Sequence, residues 1–148
     1  MPCLHTLELR DVSLEPATAG LIAGHARLHC LHVPGTGFTD VEVALLAGAP
    51  SLQSLALDAS QITDGSMAAL AGAPWLMELY VYGPDLAAEV LDLVSRLTGL
   101  VDLNLMDAPL TEVMVTAMAS LPRLHIYRAK AGVRPRRWRG WRSFVRTS

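Results

Sequence analysis

The chain of 148 residues lacks the features that mark several large protein classes. No segment approaches the ~18 consecutive apolar residues of a membrane-spanning helix, and no basic start followed by an apolar core marks a signal peptide. No glycine loop for phosphate, no G-x-S-x-G and no H-E-x-x-H occurs, so the expectation is a protein that is not an enzyme and needs no cofactor or metal. Cysteine is limited to Cys3 and Cys30.

What the sequence contains instead is a repeat with a period of 24 residues. A period in the twenties indicates a solenoid, in which each unit buries its apolar side against its neighbours. Every unit begins with a leucine, and there are five complete units and part of a sixth. These leucines are Leu4, Leu28, Leu52, Leu76, Leu100 and Leu124.

Each unit predicts a strand, a turn and a short helix. Positions 4 and 6 are apolar and alternate with polar residues, as in a strand with one buried face. Positions 18 and 19, such as Leu21-Ile22 and Leu45-Leu46, predict the inner stripe of a helix. Position 4 is Leu7, Leu31, Leu55, Leu79, Leu103 and then Tyr127, and position 6 is Leu9, Val33, Leu57, Val81, Leu105 and then Ala129.

Helix boundaries are also readable in the repeat. Thr39 and Glu42 have the spacing of a capping box at a helix start, and Gly48 is placed to end that helix. Residues 87–97 contain no glycine, so the helix of the fourth unit is expected to run about one turn longer than the others.

The pattern LxxLxLxxxxΦTD…LAxxPxL resembles the leucine-rich repeat, in its helix-bearing variety of about 24 residues. It is most similar to the units of some bacterial effector and F-box-type proteins. The resemblance covers Pro2 to about Arg128 and implies an α/β solenoid, with a curved parallel sheet inside and short helices outside. One departure is position 9, often asparagine in this family, where only Thr36 and Ser60 offer a hydroxyl to the backbone.

The repeat register also bears on the two cysteines. Cys3 and Cys30 fall on neighbouring units but about three residues out of line, an offset of about 10 Å that a disulfide does not span. A reducing, cytoplasmic location is therefore expected.

The start of the repeat array has no polar cap in the sequence. Pro2 is equivalent to Pro50, so the first leucine follows what reads as the end of a unit. Two interpretations fit this feature: a short or truncated array, or an apolar end face through which the chain associates with another copy of itself.

Charge separates two regions of the chain. All 14 acidic residues lie in residues 1–128, where five arginines oppose them, so this region carries −9. Residues 129–148 hold Lys130 and six arginines without an acid, which gives +7 and accounts for the overall −2. We therefore divide the chain into a leucine-rich repeat domain, 1–128, and a basic tail rich in arginine and tryptophan, 129–148.

The basic tail keeps neither the period nor the strand alternation. Three interpretations fit it: a disordered segment, a cap folded over the last strand by its aromatic residues, or an altered reading frame in a degraded gene. Its arginines and tryptophans suit contact with phosphates and stacking on bases, so binding of nucleic acid or another anionic surface is the alternative function. The residues expected to make these contacts are Arg136, Arg137, Trp138, Arg139, Trp141 and Arg142.

Positions 3, 5 and 7 alternate with the core positions and are expected on the concave face of the sheet. Tyr80 and Tyr82 occupy this face in the fourth unit. Tyrosine suits a strand surface in general, but it is also enriched where proteins bind proteins. The leading prediction is a protein–protein interaction module that binds an unidentified protein on this face. Its predicted binding residues are Tyr80, Tyr82, Glu78, Asp102, Asn104 and His32.

Two groups on the same face raise the question of other chemistry. Glu78 and Asp102 are neighbours that we expect to be solvated, which favours an acidic patch for a basic partner over a catalytic carboxylate pair. Glu8, Cys30 and His32 form the second group; without a further ligand pair at recognisable spacing, ordinary surface histidines are favoured over a zinc site.

Overall fold

The structure, a computed structural model, describes residues 4–83, 93–106 and 112–129. Strands and helices alternate along the chain, as the repeat predicts. The strands are β1 (Thr6–Glu8), β2 (Cys30–His32), β3 (Ser54–Asp58), β4 (Glu78–Tyr82), β5 (Asp102–Met106) and β6 (Ile126–Ala129). The helices that lie wholly within the described residues have eight residues each: α1 (Pro16–Ala23), α2 (Asp40–Ala47), α3 (Asp64–Ala71) and α4 (Glu112–Ala119). A 3₁₀ turn spans Ala59–Gln61.

The strands form one parallel sheet in chain order, from β1 to β6. Each strand pairs with the next in a register shifted by one repeat, so that Leu31 faces Leu55 and Leu55 faces Leu79. The 24-residue register predicted from the leucines is therefore confirmed. Parallel strands need a crossover between them, and α1 to α4 occupy four of the five crossovers.

A second row of backbone hydrogen bonds links the units just before their strands. The amide at position 2 of each unit donates to the carbonyl at position 2 of the unit before it. Examples are Gln53 N to His29 O at 2.8 Å and Met77 N to Gln53 O at 2.8 Å. The same bond recurs from His29 to His5, from Val101 to Met77 and from His125 to Val101. The pairing of repeats thus begins before the strands themselves.

The hydrophobic core lies between the sheet and the helices. The position-4 leucines Leu31, Leu55 and Leu103 are fully buried, and the position-19 residues Ile22 and Leu46 close the core from the helices. The prediction that positions 18 and 19 both face inward is wrong for the first two units: Leu21 is 74% exposed and Leu45 is 46% exposed. Adjacent residues of a helix are about 100° apart, so a two-turn helix turns only one of them to the core.

The predicted boundaries of the second unit's helix are confirmed. Glu42 accepts a hydrogen bond from the Thr39 amide at 2.7 Å and also contacts the Thr39 hydroxyl, which forms the capping box. These bonds hold the pKa of Glu42 below its usual value. Gly24, Gly48 and Gly72 follow the last residues of α1, α2 and α3. Most of the range predicted for a longer helix in the fourth unit, residues 87–97, lies outside the described residues.

A carboxylate joins the starts of two neighbouring helices. Asp40, the first residue of α2, accepts hydrogen bonds from the hydroxyl of Thr63 at 2.6 Å and from the hydroxyl of Ser66. The Ser66 hydroxyl, followed by that of Thr63, lowers the pKa of Asp40. A Cβ atom on Gly65 would lie 2.7 Å from Asp40 Oδ2, so the absence of a side chain there lets the two helix starts approach.

Position 9 stabilises one turn as predicted. The hydroxyl of Thr36, which is 2% exposed, donates to the carbonyl of Val33 at 2.8 Å. Ser60, the other candidate, lies in the 3₁₀ turn with its side chain exposed.

Among the described residues, no helix has both the length and the apolar character needed to cross a membrane.

Candidate protein-interaction face

The sheet has a second face, opposite the leucine core, which we call the open face. It consists of the residues at positions 3, 5 and 7 of the units. On β4, Leu79 and Val81 are 1% and 3% exposed in the core, whereas Glu78, Tyr80 and Tyr82 are half-buried on the open face. The strand alternation predicted for the two tyrosines is therefore confirmed.

The rings of His32 and Tyr80 approach each other above Ala56, on the strand between them. Tyr80 pairs in register with Ala56, and Ala56 pairs with His32, so the small alanine lies between the two larger side chains. The ring centroids of His32 and Tyr80 are 5.8 Å apart with planes tilted by 52°, and Ala56 is fully buried. The two rings thus form a continuous aromatic surface across three strands.

Asp102 and Asn104 are less exposed on the open face than predicted. Both were expected to be accessible to a partner, but Asp102 is 6% and Asn104 is 9% exposed. The register places the longer Glu78 and Tyr80 beside them on β4. Short side chains next to long ones on a sheet are shielded from water, and the repeat period carries no information on side-chain height. Of these four neighbours, Glu78 and Tyr80 are the more exposed.

Tyr82 is the last residue of β4 and lies on the open face beside Asp58 of β3. Its register partner Asp58 is half-buried and accepts a hydrogen bond from the amide of Gly35. Gly35 has φ of +72°, and a Cβ there would lie 2.4 Å from Asp11 Oδ1. The glycine therefore permits the loop after β2 to bring its amide to Asp58, which fixes the carboxylate next to Tyr82.

Glu8, His32 and Cys30 lie together on β1 and β2, at the first-strand side of the open face. His32 Nδ1 lies 3.7 Å from Glu8 Oε1, and His32 Nε2 lies 3.4 Å from Cys30 Sγ. Glu8 also contacts Arg10 at 4.0 Å. The sequence predicted that these residues lie near one another. It did not predict that the imidazole lies between the thiol and the carboxylate. Within the described part of the chain, no group of three potential ligands is arranged to hold a metal ion.

The remaining predicted contact residues belong to the basic tail. These six residues, from Arg136 to Arg142, lie outside the described residues. Around the open face, the described acidic side chains are Glu8, Asp58, Glu78 and Asp102. Arg10 contacts Glu8, so the open face carries more negative than positive groups among the side chains described.

Comparison with known proteins gives a fold and no family. No protein-family model and no curated protein matches the sequence. One similar solved structure is that of "Leiomodin-1 Actin-Binding Site 2 (ABS2)"; it shares 13% sequence identity over 80% of this chain and 81% of that chain, with a TM-score of 0.56. At this identity the similarity supports the fold alone: an α/β arrangement of a parallel sheet with helices.

Proposed function

We propose that the chain is a solenoid of the leucine-rich-repeat type that binds another protein through the open face of its sheet, and that this face is concave. The in-order parallel sheet and the unbroken 24-residue register support the solenoid. The half-buried tyrosines of β4 carry the binding proposal. No catalytic reaction is assigned to these tyrosines.

The physical case for binding rests on what the tyrosines do not contribute to folding. Leu79 and Val81 already supply the buried side of β4, and the equivalent open-face positions of β3 are held by Ala56 and Asp58. A repeat unit of this protein therefore folds without large aromatics there. Tyrosine offers a wide contact area with little loss of rotamer freedom, which is why it is concentrated at interface centres.

The charges around the tyrosines indicate the kind of partner. Glu78 lies two residues before Tyr80 on the same face, about 6.7 Å away along the strand. A lysine or arginine of a partner placed between them contacts the carboxylate with its cationic group and the ring with its aliphatic stem. The proposed partner thus presents a basic and apolar segment. The leiomodin structure is named as an actin-binding site, which agrees with protein binding at this fold but identifies no partner for this chain.

A pull-down compares the wild-type chain with a Tyr80→Ala, Tyr82→Ala variant. The variant is expected to lose the captured partner, since truncating a central interface tyrosine costs ~1 kcal/mol or more of affinity. Val41→Ala is the matched control, because Val41 is 66% exposed on α2, on the helix side of the sheet. It removes an exposed apolar side chain without touching the open face.

Thermal melting of all three proteins completes this experiment. We expect the double variant to melt close to the wild type, because neither tyrosine belongs to the buried core. If the double variant is folded and still captures every partner of the wild type, the open face is not the interaction surface. If it unfolds, the tyrosines are structural and the assignment is wrong.

The second candidate function is binding of nucleic acid or an anionic surface through residues 129–148, which the charge of +7 against −9 supports. Deletion of these residues distinguishes the two proposals. Binding of a fluorescent oligonucleotide should disappear on deletion and weaken with salt if the tail is responsible, while capture of a protein partner by the open face should survive.

A further inference from the structure

A thiol, an imidazole and a carboxylate lie in a row on the open face. Cys30 and His32 are on the same side of β2, and Glu8 is the register partner of His32 on β1. The contacts are 3.4 Å from Cys30 Sγ to His32 Nε2 and 3.7 Å from His32 Nδ1 to Glu8 Oε1. A nucleophile within reach of a base, which a third group orients, is the arrangement that activates cysteine and serine side chains.

We propose that Cys30 is a nucleophilic thiol that exchanges with disulfides, with His32 as its proton acceptor and Glu8 as the positioning residue for His32. When the Nδ1 proton of His32 points to Glu8, Nε2 is the nitrogen with a free lone pair. That nitrogen is the one in contact with the sulfur. This exchange needs no protein partner, so it can be measured with a small disulfide alone.

The exchange balances with a small disulfide as co-reactant. The Cys30 proton moves to His32 Nε2, and the resulting thiolate attacks one sulfur of the disulfide R–S–S–R. The bond between Cys30 Sγ and that sulfur forms while the S–S bond breaks, and the leaving thiolate takes the proton from His32 as R–SH. The product is Cys30 joined to R through a mixed disulfide, and His32 returns to its neutral form.

A neighbouring hydroxyl supplies a second, independent observation. Ser54 is the register partner of Cys30 on β3; it is 6% exposed, and its Oγ has no hydrogen-bond partner among the described residues. A buried hydroxyl without a partner carries a desolvation cost that a bound acceptor offsets. As the register partner of Cys30, Ser54 lies on the same face of the sheet as the thiol, on the neighbouring strand.

The surroundings leave Cys30 accessible and bring few other charges near it. Cys30 is a free thiol with its side chain half-buried. On β1 the charged groups nearby are Glu8 and the Arg10 that contacts it; β3 contributes the uncharged Ser54 and Ala56 beside β2. From β4, the Tyr80 ring lies against His32. His32 is therefore the described base in contact with the thiol.

The test measures mixed-disulfide formation at Cys30 in the full-length chain, with oxidised glutathione at pH 7 and peptide mass spectrometry as the readout. His32→Ala and His32→Gln should slow the reaction at least about fivefold, since glutamine fills space but takes no proton. Glu8→Gln should slow it less, by about two- to threefold, because it acts through His32. His29→Ala is the matched control: His29 is exposed, adjacent to Cys30 in sequence and stacked on His5 instead.

A second pH separates proton transfer from a steric effect. At pH 9 hydroxide in the solvent removes the thiol proton without a neighbouring base, so the wild type and His32→Ala should react at similar rates. Equal rates of the His32 and His29 variants at pH 7 would overturn the proposal. So would a difference that is unchanged at pH 9, or a rate at Cys30 no greater than at Cys3 of the same chain. Circular dichroism melts establish that each variant is folded.

Discussion

Leu55→Ala tests the core of the repeat at its centre. Leu55 is fully buried on β3, and its register partners Leu31 and Leu79 are 0% and 1% exposed. Leucine-to-alanine changes in cores lower the free energy of unfolding by ~2.7–5 kcal/mol, according to how far the site collapses. Paired strands on both sides restrict that collapse, so we expect a loss of ~3–5 kcal/mol.

Two further variants compare the loss of stability at a half-buried and at an exposed side chain. Leu7→Ala makes the same change on β1, where the side chain is half-buried and paired with Leu31 only, so a loss about half as large is expected. Gln53→Ala should change stability by less than ~0.5 kcal/mol, because its side chain is exposed and its backbone bonds to neighbouring repeats remain. Urea melts followed by circular dichroism measure all three. Equal losses for Leu55→Ala and Gln53→Ala would refute the register.

The helix side of the fold gives two more predictions. Gly20→Ala should raise the free energy of unfolding by ~0.5–1 kcal/mol, because nothing lies within 4 Å of the new Cβ inside α1. Gly65→Ala should lower the free energy of unfolding by ~1 kcal/mol, because its Cβ displaces the Asp40 carboxylate. Urea melts in which both changes have the same sign would contradict this. Because the pKa of Asp40 is lowered in the folded state, its contribution is complete above its ordinary value of 3.8 and is lost as the pH falls through the lower folded value. Asp40→Asn should therefore flatten the fall in stability below about pH 4, and parallel pH profiles for the wild type and the variant would show that the hydroxyl contacts do not stabilise the fold.

Most of the fold could be predicted from the 24-residue period of the sequence. Leucines spaced by 24 residues predicted which residues pair across the sheet, because equal spacing is what stacks equivalent positions on neighbouring strands. The capping box of Thr39 and Glu42 could also be read, since it is a local pattern with fixed spacing. These features depend on sequence distance alone.

Features that depend on side-chain size and on contacts between units were harder to predict. The burial of Asp102 arises from its longer neighbour on β4, and the outward direction of Leu21 from the shortness of α1. The link from Asp40 to Thr63 and Ser66 joins polar residues of different units, which no hydrophobic pattern reveals. The one signal was the recurrence of Thr-Asp at residues 39–40 and 63–64.

A photo-crosslink can show whether a protein binds the open face at β4. Tyr80→p-benzoylphenylalanine places the reactive group on the open face, and Val41→p-benzoylphenylalanine places it on the helix side, where the native side chain is 66% exposed. If exposure alone governed capture, position 41 would give the stronger adducts. We expect a discrete protein adduct from position 80 after irradiation in cell extract and none from position 41. Adducts from position 41 alone, or the same adducts from both, would contradict it.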